Sequence, residues 1–174
     1  MTSKLIKSAL LGGLAAFLWV SLSWMVLPWH KNSIGYFKDD EAVRACLLEN
    51  ITSMDKVVYS LPAMHQGKKD KGGPRALIAL SPKGGKFSPI KLLKEYCLDS
   101  VLALIMAYLV IQAKQDTYTK RLKFIAAIAL VASLWANIPN WNWWGFAVDY
   151  TLVGIADGFL TLFIAGLVIA KTTK

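Results

Sequence analysis

Asp157 has the strongest claim on chemistry in this chain. It follows Asp149 by eight residues and is the only charge between Tyr150 and Ala170. On a helix rising 1.5 Å per residue it lies about 12 Å beyond Asp149. A carboxyl that deep in a hydrocarbon core must face a bundle interior, be protonated, or have a partner. In such a place it could carry a proton or bind a cation. It could equally be structural, hydrogen-bonded to Ser23, Ser133, Asn137 or a backbone group. Glu95 and Asp99, four apart near the start of another apolar run, have the spacing of an acid–base pair. At a head-group boundary they are expected to be solvated or paired with lysines. Asp157, Asp99 and Asn137 are therefore the intramembrane polar candidates.

The other reactive types are few. Cys46 and Cys97 are the only cysteines, and neither sits in a Cys-x-x-Cys pair. In an oxidising compartment they could form a disulfide; Cys46, beside Val43 and Leu47 on an apolar face, could equally be a buried thiol. His30 and His65 are the only histidines, 35 apart and without companion carboxylates, so no metal site is expected. His30, between Trp29 and Lys31, reads as an interfacial ring bonded to the neighbouring loop. There is no phosphate-binding glycine loop, Gly-x-Ser-x-Gly or His-Glu-x-x-His. The sequence therefore predicts no catalytic residue and no cofactor.

These residues must be positioned by membrane helices. The chain has 174 residues, 55% of them hydrophobic, with mean hydropathy +0.43. Ser8 to Trp29 and Phe124 to Val148 carry no charge. Runs of about 20 apolar residues span a bilayer, and four spans can be placed, at about 5–27, 92–113, 122–138 and 147–170. The second is charge-free only from Ser100 to Ala113, so Glu95 and Asp99 must lie near a surface. Between the first two spans lies a polar insert of about 65 residues, His30 to Lys94, with twelve basic and six acidic residues. Its cap, residues 30–91, contains a short helix after Asp39-Asp40-Glu41 and two β-prone segments ending at Pro62 and Pro82. The expected fold is an all-α membrane protein: a four-helix transmembrane bundle in one domain, 1–174. A small extracytoplasmic α+β cap, a short helix plus a β-hairpin, is inserted between helices 1 and 2.

Basic residues set the expected orientation. Lys4, Lys7, Lys114, Lys120, Arg121, Lys123, Lys171 and Lys174 fall on one side of a four-span arrangement, and the positive-inside rule makes that side cytoplasmic. Both termini are then cytoplasmic and the insert is outside, since long loops translocate largely regardless of charge. Lys4 and Lys7 ahead of an apolar run resemble a signal peptide, but the run is too long and lacks a small-x-small site, so a retained signal anchor is expected. The net charge of +9 then reflects topology, lipid or an acidic partner surface rather than nucleic acid.

Two further patterns concern packing. Gly154-Ile-Ala-Asp157-Gly158 is a GxxxG that lets helices approach closely, and Gly12 to Ala16 offers a matching small face on the first span. Six of seven tryptophans lie in the outer half: Trp24, Trp29, Trp135, Trp141, Trp143 and Trp144. They suit an interfacial belt; with His30 they could also form a rim on which a partner docks.

Trp24-Met-Val-Leu-Pro-Trp-His30, Val58-Tyr-Ser-Leu-Pro62 and Ala165-Gly-Leu-Val-Ile-Ala-Lys171 together resemble a group of uncharacterised small four-span bacterial inner-membrane proteins. The resemblance implies a four-span architecture and a bacterial envelope location. It implies no activity, cofactor or catalytic residue.

The leading expectation is a non-enzymatic accessory, scaffold or assembly subunit of a larger membrane complex. Its partners would be the bilayer and another membrane protein or a second copy, met through the cap and the small-residue faces. The alternative is a small proton- or cation-coupled transporter using Asp157.

Overall fold

Long charge-poor runs fold as helices when apolar surroundings leave backbone polar groups no partner but one another. In the computed structural model, which describes residues 2–63 and 72–174, four such helices are long and apolar enough to cross a membrane. They are α1 (Thr2–Met25), α4 (Pro89–Gln112), α5 (Tyr118–Trp144) and α6 (Val148–Thr172). The chain forms two compact units, Met1–Ile34 with Ser88–Lys174, and Gly35–Phe87.

The first unit is the bundle. α1 packs against both α4 and α6, and α6 also packs against α5. Ser8 on α1 meets Thr172 on α6 (2.7 Å), so these helices are antiparallel. Local chemistry sets the helix starts. Ser88 accepts the Ile90 N–H, with Pro89 at the first helical position, and Thr117 accepts the Lys120 N–H.

α5 corrects one expectation. The sequence suggests a loop from Pro139, yet the helix continues through Pro139 to Trp144. It stops at Gly145, whose positive φ of 70° turns the chain so that the Phe146 N–H bonds to the Asn140 carbonyl. Proline costs the helix one hydrogen bond, but a left-handed glycine actually reverses its path.

The small residues are used inside the chain. The two small faces do not match each other as expected. Gly154 and Gly158 lie against Asn137 and Ser133 of α5, whereas a Cβ on Gly12 would meet Ile169 of α6 at 3.0 Å and Ala103 of α4 at 3.2 Å. Ala16 is buried in the core with Ala103, Met106, Ala165 and Ile169. At Gly13 the neighbouring backbone itself is close, and a Cβ there would collide with the backbone and side chain of Ser100.

The basic end is also more specific than a charge count suggests. Arg121 is buried. Its Nε donates to the Ala170 carbonyl (2.8 Å) and one terminal nitrogen to the Gln115 carbonyl (3.0 Å). This ties the last turn of α6 to the turn between α4 and α5, satisfying carbonyls that a helix C-terminus leaves open. At the same end, Lys4 donates to the Lys174 carbonyl.

In the second unit, α3 (Asp40–Asn50) is capped by Asp39, which accepts the Ala42 N–H at 2.9 Å. No α3 residue is buried, and Cys46 is exposed rather than part of an apolar core. β1 (Val57–Leu61) pairs antiparallel with β2 (Ala76–Leu80), Val57 opposite Leu80 and Leu61 opposite Ala76. Much of the expected turn at 65–74, including His65, lies outside the described residues.

Substituting Gly13 by valine should destabilise the bundle by about 1–3 kcal/mol through overpacking. Gly35→Ala, in open space, should change it by less than about 0.5 kcal/mol. Thermal unfolding of the full chain in detergent tests the contrast, and equal melting temperatures would contradict the close α1–α4 contact.

Candidate functional site: a buried histidine–aspartate pair

The chain reverses direction where α1 ends. Val26 and Leu27 both donate to the Leu22 carbonyl, and Pro28 then leads into a single helical turn, α2 (Trp29–Asn32). That turn carries His30 back over Ser23 and against α6. His30 is 5% exposed and Asp157 is 8% exposed. His30 Nε2 lies 3.1 Å from Asp157 Oδ2.

Both carboxylate oxygens of Asp157, and Nε2 and the ring face of His30, make further contacts. Trp19 Nε1 donates to Asp157 Oδ1 at 2.9 Å, so both carboxylate oxygens are engaged. Ser23 Oγ lies 3.0 Å from His30 Nε2 and accepts the Trp29 Nε1–H at 2.9 Å. Trp24 stacks on the imidazole, centroids 3.8 Å apart and planes 10° from parallel. Trp29 meets the same ring edge-on, at 5.7 Å and 76°. An indole face stabilises a charged or neutral imidazole, and removes it from lipid and water in either state.

Sequence and structure differ here in instructive ways. The His30 ring is bonded to Ser23 and Asp157 rather than to the loop that follows; the Pro28 turn buries it beside Asp157. Of the partners expected for Asp157, Ser133 and Asn137 turn instead to their own helix, donating to the Ala129 and Ser133 carbonyls. Ser23 joins only through His30. Trp19, which sequence reasoning passed over, contributes the second donor. Its signal was available: Trp19 and Ser23 are four apart, so they share a helix face that points at α6.

Trp24 is half-exposed, with one face on His30, whereas Trp135 and Trp143 are 80% and 77% exposed. Trp141, Trp143 and Trp144 belong to the last turns of α5 rather than to a loop. Cys46 and Cys97 are exposed free thiols and form no disulfide.

Asp99 also departs from expectation. It is 5% exposed and faces Ala16 of α1 and Thr161 of α6 across a small cavity, so it is neither solvated nor lysine-paired. Glu95, one turn earlier, is exposed. The small side chain of Ala16 leaves α4 close enough to α1 to bury the second carboxyl of the pair and not the first.

Among the described residues, no three His, Cys, Asp or Glu side chains gather in a metal-binding cluster. Comparison with protein-family models, curated proteins and solved structures gives no match.

If the pair acts as one unit, breaking either half should cost nearly as much as breaking both. His30→Ala should destabilise by about 3–5 kcal/mol, because it strands a buried carboxylate. A cycle with Asp157→Asn should return a coupling energy of about 1–3 kcal/mol. Additive effects in reversible unfolding would contradict a direct interaction.

Proposed function

We propose that the protein is a non-enzymatic scaffold or assembly subunit of a bacterial inner-membrane complex. In this reading both termini are cytoplasmic and the insert between α1 and α4 is extracytoplasmic. The observation that carries it is the closed His30–Asp157 pair. The most chemically capable groups of the bundle are spent on one another and on indole donors, at the point where the chain leaves α1 for the insert. A site built to turn over a substrate keeps a reacting group accessible; a latch closes it.

The insert supplies the docking surface. With net charge +6 from His30 to Lys94, it suits a membrane-protein partner with an acidic outward face. The exposed Trp143 lies on the bundle at the end from which the insert departs, where an interfacial indole can contact a neighbour as well as lipid. The small-residue faces at Gly12, Ala16, Gly154 and Gly158 hold this chain's own helices together, which favours docking through other surfaces.

A second reading, a small proton- or cation-coupled transporter, draws on the two buried carboxyls, Asp157 and Asp99. Ion flux by the purified protein in liposomes, lost in Asp157→Asn, would favour it over the first.

Purification in mild detergent followed by mass spectrometry should recover a defined membrane protein, released by raised salt and reduced when Lys83 and Lys86 become glutamate. A persistently lone species would contradict the scaffold. Reporter fusions after Lys83 and after Lys120 should report opposite sides of the membrane; the same side for both would contradict the proposed topology.

A further inference from the structure

We propose that Asp99 and the cavity beside it form a second buried site, one that takes up a proton and a single water molecule. Asp99 is 5% exposed, and its Oδ2 is a buried oxygen without a hydrogen-bond partner. An unpartnered carboxylate oxygen in an apolar interior is strongly disfavoured. The cavity is about 10 Å³, close to the least space that holds one water. Ala16 lines it from α1, Leu102 and Ala103 from α4, and Thr161 and Leu162 from α6.

Thr161 makes the site more than a gap. Its hydroxyl donates to the Asp157 carbonyl at 2.8 Å, which commits its proton and leaves its oxygen able to accept. A protonated Asp99 has the opposite need, an O–H without an acceptor. One water between them accepts from the acid and donates to Thr161, which gives it the two polar partners that a buried water requires. The hydrogen bonds then run in one direction, from Asp99 through water and Thr161 to the backbone of Asp157.

Uptake forms an O–H bond on the carboxyl with a proton from bulk water, and release returns it, with no further reactant. Glu95, one turn away on the same helix, is the titratable neighbour. The α1 and α6 surfaces lining the cavity bring only alanine, threonine, leucine and isoleucine. Ionised, Asp99 would draw water between α4 and its neighbours. The proton therefore governs how α4, the helix that continues directly from the insert, seats against α1 and α6.

Infrared difference titration of the full-length protein in lipid nanodiscs tests this. The wild type should show a protonated carboxylic acid band that grows as the pH is lowered and shifts in heavy water. Asp99→Asn should remove it, whereas Asp157→Asn should leave it. Thr161→Val should shift the band by removing the acceptor of the water, and Thr161→Ser should restore it. A band unchanged by Asp99→Asn, or indifferent to Thr161→Val, would overturn the proposal. The site is independent of the docking reading: absence of a partner would leave the band in place, and absence of the band would leave the partner.

Discussion

An imidazole and a carboxylate can be buried together in an apolar bundle only if each satisfies the other and their remaining polar atoms find partners. Around His30 and Asp157 that condition recruits four further side chains, Trp19, Ser23, Trp24 and Trp29. It also dictates the path of the backbone. His30 can reach α6 only because the chain folds back at Pro28, so the start of the insert is tied to the last helix of the bundle rather than left as a free connection. Removing one partner of such a pair costs more than the pair contributes, which makes the arrangement effective as a fastener even where its net stabilisation is small.

The opposite end of the bundle uses the same principle with a different group. Arg121 is one more cation of the basic end by charge alone, but its guanidinium is buried against the Ala170 and Gln115 carbonyls. The last turn of α6 is therefore held by a cation at its carbonyl end, where the helix dipole favours positive charge. Between these two ties, contact between helices depends on the absence of side chains. Gly13 admits Ser100, and Gly154 and Gly158 admit Asn137 and Ser133.

What the sequence made legible follows from range. The four apolar helices, the Asp39 cap and the two strands depend on periodicity and nearest neighbours, and they stand within a few residues of where the pattern puts them. The exception is α5, where Pro139 looks like a stop and Gly145 is the actual one. Asp157 stood out because a lone carboxyl in a long apolar run is visible without any structure. Its partner was not visible, since His30 lies 127 residues away and is brought close by a turn whose geometry no local pattern encodes. Asp99 was misread for a related reason. Its place at the edge of the charge-free run suggests a head-group boundary, whereas its burial is set by the small Ala16 across the helix interface.

The account rests on the pair holding the beginning of the insert against the bundle. Hydrogen–deuterium exchange in lipid nanodiscs, comparing the wild type with Asp157→Leu, addresses that most directly. The account predicts that amides from Trp29 to Ile34 exchange faster in the variant, while those at the Arg121 end of α6 keep their protection. Unchanged exchange at Trp29 to Ile34 would contradict it, because the turn would then be held by something other than the buried histidine–aspartate pair.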